Sequence, residues 1–469
     1  MDTPPEGLTY ASARGRWVVA ATVLGSGMAM LDGTVVGLAL PVIGRDFDAT
    51  VTTLQWVVNA YTLTLAGFLL LGGTLGDRFG RRLLFVLGTI GFTAASLLCG
   101  VAWSAPVLVA ARAMQGLGAA LLTPGSLAIL QASFAPADRS RAIGAWTGFG
   151  GIAGAIGPFI GGVLIGTLSW RVVFFINLPV ALVLVPVSLR HVPESRDPSP
   201  PGPLDLRGAA LAALGLAGVT HGLTDGPVRG WSSAPALIAL VCGTVFLLAF
   251  VAVERRQRQP LLPLALFGSR QFSAANGVTF VVYGALGGTM FLLPVALQQV
   301  AGYSPLQAGT ALLPLTLIML LLSSRSGALA ARIGPRLQMS VGPLIVAVGL
   351  ALFVRLDASG GYVSEVLPAV VIFGLGLATT VAPLTSTVLA AVPAEHVGVA
   401  SAVNNDVARI AALVAVAVLP PIAGITGTAY RHADELARGF HCAVTLAAGA
   451  CVLAGAIAAI TIRDPAARS

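Results

Sequence analysis

Four charged residues stand inside long apolar runs where water should be scarce. Asp32 is the sole acid between Trp17 and Ile43, Arg112 interrupts the fourth such run, and Asp406 and Arg409 share a late one. A carboxylate in the bilayer core is costly unless it is paired, hydrated or protonated, so Asp32 is a functional candidate. Desolvation favours its protonated form and a nearby cation its ionised form. A site that alternates between these environments can take a proton on one side and release it on the other. Arg112 is the natural partner. It lies about five residues, or roughly 8 Å, from the outer end of its run, and Asp32 lies about nine residues, or roughly 13 Å, from Pro41. A long arginine bridges that difference if the first and fourth helices adjoin. Two blander arrangements stay open: Asp32 bonded locally to Thr34, and Arg112 snorkelling to the surface. Asp406 and Arg409 are spaced i, i+3 on one helical face, with Asn404 and Asn405 beside them. They make either a self-neutralising structural pair or a second proton or substrate site. Asn59 and Gln298 are candidate substrate contacts, with hydrogen bonding between helices as the alternative.

The elements that must position these groups follow from composition. The chain of 469 residues is 56% hydrophobic and 10% charged, with a mean hydropathy of +0.89, which excludes an ordinary soluble domain. Uncharged windows of about 20 residues, enough to cross a core of about 30 Å, recur along it. Apolar windows bounded by charge number fourteen, among them 17–43, 107–131, 142–168, 398–423 and 440–462. The expected fold class is therefore an all-α polytopic membrane protein. All 27 basic residues are arginine; with the N-terminus inside, 19 fall on the cytoplasmic side, 5 outside and 3 within spans. That bias places both termini in the cytoplasm and the chain in the cell inner (plasma) membrane. Residues 1–16 lack the apolar stretch of a cleavable signal, so the first span itself directs insertion. The arginines lie at helix ends, which suits membrane lipids and excludes a nucleic-acid partner. Cys99, Cys242, Cys442 and Cys451 sit in apolar stretches without metal-type spacing, so no metal is expected. The chain lacks lysine and with it any phosphate-binding Gly-x-x-x-x-Gly-Lys loop. Neither an enzyme nor a cofactor is expected, and energy must come from an ion gradient or the substrate's own.

Internal repetition then orders the spans. The loop Gly73-Thr-Leu-Gly-Asp-Arg-Phe-Gly-Arg-Arg82 returns about 254 residues later as Gly327-Ala-Leu-Ala-Ala-Arg-Ile-Gly-Pro-Arg336. Gly116-Leu-Gly-Ala-Ala120 recurs as Gly374-Leu-Gly-Leu-Ala378, and Pro136-Ala-Asp138 as Pro393-Ala-Glu395. Spans one to six thus match spans nine to fourteen, the pattern of transporters built from repeats around a central site. Residues 1–190 form one six-helix bundle and 274–469 the other. Residues 191–273 hold a proline-rich linker, His191 to Pro203, and two inserted helices. In the first loop copy, Gly73, Asp77, Arg78, Gly80, Arg81 and Arg82 form a gate in which a carboxylate docks on a helix N-terminus and arginines bridge to acids or anionic lipid. Ala331 replaces the acid of Asp77 in the second copy, so the latch should reside mainly in the first half. Gly154, Gly157, Gly161 and Gly162 crowd the fifth span around Pro158. Small residues allow close helix approach, either as a static interface or as a surface along which two halves rock.

These motifs resemble the major facilitator superfamily, specifically its fourteen-span drug:proton antiporter branch, over nearly the whole chain. Leu31-Asp-Gly-Thr-Val-Val-Gly-Leu-Ala-Leu-Pro41 is similar to the branch's first-helix signature, and the 73–82 loop to the superfamily's loop motif. Arg112-Ala-Met-Gln-Gly-Leu-Gly-Ala-Ala120 resembles the fourth-helix motif, which implies proton transfer through Arg112 with Gln115 as an accessory polar group. Gly154-Ala-Ile-Gly-Pro-Phe-Ile-Gly-Gly162 is similar to the antiporter motif of the fifth helix; Trp170-Arg171 and Ile176-Asn-Leu-Pro179 also fit the branch. The resemblance implies a monomeric exporter that exchanges protons for a hydrophobic or amphipathic small molecule, such as an antibiotic or secondary metabolite. A metabolite importer or facilitator, and a non-transporting membrane sensor or scaffold, are the alternatives.

Overall fold

The computed structural model describes residues 7–197, 204–257, 260–357, 360–393 and 396–464. The proline-rich linker leaves these residues at position 198 and the second Pro-Ala-acid match at 394, so both lie partly outside them. Among the described residues, fourteen helices are long and apolar enough to cross a membrane, and they hold most of the chain. They are α1 (Ala13–Asp46), α2 (Val51–Phe79), α3 (Arg81–Gly100), α4 (Ala105–Ser133), α5 (Pro136–Thr167), α6 (Val172–His191) and α7 (Leu206–Arg229). Then follow α8 (Ala234–Glu254), α9 (Arg270–Gln299), α10 (Pro305–Ile333), α11 (Pro335–Arg355), α12 (Tyr362–Ala390), α13 (Val397–Ile422) and α14 (Ala433–Thr461).

Local chemistry sets where these helices begin and break. Ser12 and Thr50 accept backbone N–H groups at the starts of α1 and α2, and Ser304 with Gln307 forms a reciprocal capping box at α10. Gly80 and Gly334 have φ of 126° and 87°, a region costly for any side chain, and each makes the corner between paired helices. α10 is interrupted at Leu312, just ahead of Pro314, whose missing N–H cannot extend the helix backwards. Two starts lie six or more residues before their apolar windows. α5 begins at Pro136 rather than 142 and α14 at Ala433 rather than 440. Both added turns carry acids near the helix N-terminus, Asp138 and Asp434 with Glu435. Hydropathy locates the lipid-embedded stretch, whereas these helices run on into polar surroundings that suit the helix dipole.

The packing repeats as the motifs do. α1 packs on α5, α2 on α4 and α3 on α4; α9 packs on α13, α10 on α12 and α11 on α12. The inserted α7 and α8 pair with each other, and α7 rests against both α2 and α13. α8 leaves Ile238, Val241, Val245 and Leu248 exposed, an apolar face that suits lipid.

The two halves meet tightly at one end of the bundle. A single apolar core there draws Val35, Ile43 and Val57 from the first half together with Phe291, Val416 and Ile425 from the second. Gln55 Nε2 donates to the carbonyl of Val416 at 2.6 Å, and the Val51 N–H donates to the carbonyl of Gly427 at 2.8 Å. The turn before α14 closes over this end. Arg431 pairs with Asp48 at 2.6 Å and Tyr430 Oη donates to the carbonyl of Ala49 at 2.8 Å. Toward the opposite end, where α1 starts and α14 finishes, each half keeps a core of its own. On α5 a side chain at Gly144 or Gly148 would meet no atom within 4 Å, while Gly162 lies against α10. The halves therefore part toward the end that carries α1's start and α14's finish.

Candidate functional site

α1 and α4 do adjoin, and they bring Asp32 and Arg112 together as a buried ion pair. Arg112 Nη1 donates to Asp32 Oδ2 at 2.5 Å and to Gln115 Oε1 at 2.6 Å, while Gln115 Nε2 donates to Asp32 Oδ1 at 2.7 Å. Arg112 Nε donates to the carbonyl of Val57 at 3.0 Å, and its guanidinium stacks 4.4 Å from the ring centre of Tyr61. All three polar side chains are buried. Both carboxylate oxygens thus accept hydrogen bonds. Thr34 plays no part in it, since its hydroxyl donates to the carbonyl of Leu31 at 2.9 Å. Arg112 does not snorkel.

The network extends through groups that the motifs did not single out. Gln115 Nε2 also donates to Ser96 Oγ at 3.3 Å, Asn177 Nδ2 donates to the same oxygen at 2.8 Å, and Ser96 Oγ donates to the carbonyl of Phe174 at 2.8 Å. α3 and α6 thereby hold Gln115 from behind. Asn177 belongs to the Ile-Asn-Leu-Pro stretch, which was the one available signal. Trp170 Nε1 and Arg171 Nη1 both donate to Asp46 Oδ2, at 3.0 and 2.7 Å, which ties the start of α6 to the end of α1.

In α13, Asp406 and Arg409 do not neutralise one another completely. Asp406 Oδ1 and Arg409 Nε are both buried without a hydrogen-bond partner. Asn404 Nδ2 donates to Asn276 Oδ1 at 3.1 Å and Thr279 Oγ1 at 2.8 Å, which joins α13 to α9; Asn405 Nδ2 donates to the carbonyl of Ser401 within its own helix. Gln298 Nε2 donates to the carbonyl of Leu38 at 2.9 Å and so links the two halves. Asn59 differs: it is buried, yet Nδ2 and Oδ1 both lack partners.

Helix α5 lies between α1 of its own half and α10 of the other. A Cβ at Gly154 would lie 3.7 Å from Met30 and one at Gly157 2.6 Å from the Thr34 hydroxyl; at Gly161 it would meet Val35. At Gly162 it would fall 2.6 Å from the Leu306 backbone, and the carbonyl of Pro158 abuts Gly309.

The loop between α2 and α3 is closed by its own half. Asp77 pairs with Arg81 at 2.7 Å, and Arg78 stands 5.6 Å over the ring of Phe79. Glu194, just beyond α6, accepts the N–H groups of Arg82 and Leu83 at 3.0 and 3.2 Å and so caps α3. The second half has an equivalent. Asp464, just beyond α14, accepts the Arg336 N–H at 3.0 Å at the start of α11. The tail caps are thus matched in the two halves, whereas the Asp77–Arg81 pair belongs to the first loop alone, the second having Ala331 in place of the acid. Glu194→Ala should weaken the start of α3 by about 1 kcal/mol, the usual loss of a side-chain cap. Proteolysis of residues 190–197 in membranes should then speed up with no change in the α1–α4 site. Among the described residues no group of three or more His, Cys, Asp or Glu is placed to hold a metal, and all four cysteines are free.

From residue 22 to residue 416 the sequence matches the family described as Major Facilitator Superfamily. This chain belongs to that superfamily. It is 35% identical to the tetracenomycin C resistance and export protein of Streptomyces glaucescens, over 89% of this chain and 77% of the relative. It is also 35% identical to the puromycin resistance protein pur8 of Streptomyces alboniger, over 95% and 91%. The methylenomycin A resistance protein of Bacillus subtilis is 33% identical over 90% of each. Two solved structures share the fold. The peptide transporter POT in complex with sulfate superposes with a TM-score of 0.68 at 15% identity, over 96% of each chain. An inward-facing, unoccupied bacterial homolog of the human lysosomal transporter Spinster gives 0.67 at 17% identity, over 97% of this chain and 100% of that one. The chain is thus a polytopic membrane protein of a superfamily that transports small molecules.

Proposed function

We propose that this superfamily member is a proton-coupled exporter of the fourteen-span drug:proton antiporter branch, expelling hydrophobic or amphipathic compounds such as antibiotics or secondary metabolites. The observation that carries the reading is the buried Asp32–Arg112–Gln115 cluster, a titratable acid in α1 next to the contact between halves. Residues 1–190 and 274–469 rock against each other along α5, with α7 and α8 riding at the periphery. Both termini lie in the cytoplasm, so the present state opens inward and is sealed outside by Arg431 and Tyr430. In this state Asp32 accepts from Arg112 and Gln115. Bound substrate carries the protein to the outward-open form; there protonation of Asp32 from outside removes the charge that holds Arg112, loosens α1 from α4, favours release of the substrate and shifts the population back toward the inward-open form. The relatives' names, which record resistance to or export of tetracenomycin C, puromycin and methylenomycin A, support an antibiotic-like substrate.

Vesicles loaded with a candidate compound and given an imposed pH gradient test this directly. Uphill movement that collapses with a protonophore is expected. Equilibration alone would make the chain a facilitator, and no movement with any of a panel of compounds would favour a sensor or scaffold. Cysteine accessibility should place both termini in the cytoplasm; labelling of either from outside would overturn the topology.

A further inference from the structure

Between the halves, α1, α2, α9 and α13 line a half-open chamber of about 170 Å³ that starts at Gly33, the residue after Asp32. Its walls include Gly33 and Gly37 from α1, Asn59 from α2, Gly287 and Phe291 from α9, and Ala412 from α13. We propose that this chamber is a subsite for one planar, uncharged ring whose edge carries a hydrogen-bond donor beside an acceptor, as in a lactam or an imide, and that Asn59 reads that edge. Its role as a substrate site rests on the export reading above; its capacity to bind the ring does not.

Volume, surface and polarity each narrow the occupant. A dry cavity of about 150 Å³ accepts a benzene-sized molecule, so the chamber takes one ring rather than a whole polycyclic compound. One wall is flat. A side chain at Gly33 would meet nothing within 4 Å, and one at Gly37 would touch only Pro294, at 4.0 Å. These glycines are one helical turn apart, so together they present bare backbone against which a ring face can lie. No charged residue lines the chamber among the described residues, which favours a neutral group.

Asn59 supplies the remaining specification. Its side chain is 1% exposed, and both its donor and its acceptor are unused. Leaving such a group unmatched costs free energy, and the neighbouring amides do not match it. Gln55 donates to the carbonyl of Val416, Gln298 to that of Leu38, and the Thr62 hydroxyl to that of Val58. A carboxamide is satisfied at once by a ligand edge that offers an acceptor to its NH2 and a donor to its carbonyl. A cis-amide in a six-membered ring has that edge. Water fills the need poorly, because an ordered water needs two to four polar partners and the other walls are largely apolar.

The test uses the purified full-length protein in lipid nanodiscs and three probes: 2-pyridone, N-methyl-2-pyridone and toluene. Wild type should bind 2-pyridone about tenfold more tightly than its N-methyl counterpart, the value of roughly one hydrogen bond. Asn59→Leu should level the two while still binding toluene, which shows that the chamber is intact. Gly37→Val, which fills the wall and leaves the amide in place, should weaken all three. Equal binding of both pyridones by wild type, or a preference that survives in Asn59→Leu, would overturn the assignment. Pyridone selectivity without gradient-driven efflux would sink the exporter reading alone; efflux without selectivity would sink this subsite alone.

Discussion

Asp32→Asn should abolish uphill efflux driven by a pH gradient while substrate binding stays measurable. The substitution keeps the size and one of the two acceptor oxygens, so either Arg112 or Gln115 still donates to it while the other meets the amide NH2. What disappears is the group that can gain and lose a proton. Asp32→Glu should retain part of the activity, because the carboxylate persists one methylene further along a buried network of fixed reach. Transport assays with substrate loaded on either side separate the outcomes. Concentrative efflux at the wild-type rate in Asp32→Asn would reassign coupling, and Asp406, whose Oδ1 is buried without a partner, would be the next acid to test.

The second large effect is steric. Gly162→Ala adds one methyl where the Leu306 backbone leaves no room, at the contact between α5 and the other half. Gly157→Leu and Pro158→Leu act on the same helix, against α1 and through altered bending. Overpacking of this kind costs about 1–3 kcal/mol, enough to change the balance of two conformations by about fivefold or more. Export should fall accordingly while membrane abundance changes little. Gly148→Ala serves as the control, since its methyl meets no atom within 4 Å in this state. If Gly162→Ala exported normally, α5 would not be a tight moving contact.

The ion pair was legible because charge in an apolar run is rare and depth along a helix is simple to count. Asp32 and Arg112 needed only adjoining helices to meet. The fourteen spans and their pairing pattern followed from the same apolar periodicity and the repeated loops. Ser96 and Tyr61 were not legible. Single small polar residues are common on membrane helices, and which of them turns toward a buried acid depends on helix rotation set by packing. Glu194 and Asp464 escaped for another reason. Each lies just beyond the last helix of its half, in stretches where composition carries no periodic signal, and acts on a helix start more than a hundred residues earlier.

The closure made by Arg431 and Asp48 carries a consequence for how the transporter responds to its surroundings. Asp48 is 88% exposed, so dissolved ions reach this clasp freely, whereas Asp32 and Arg112 are shielded by protein on every side. At physiological ionic strength the screening length is about 8 Å, and it shortens as salt rises. Under the proposed topology, in which this clasp faces outward, brackish surroundings should ease the two halves apart there without touching the interior charge pair. A cell moving between dilute and concentrated media would change the ease of opening on one face alone, and cycling rates measured against external salt would register it.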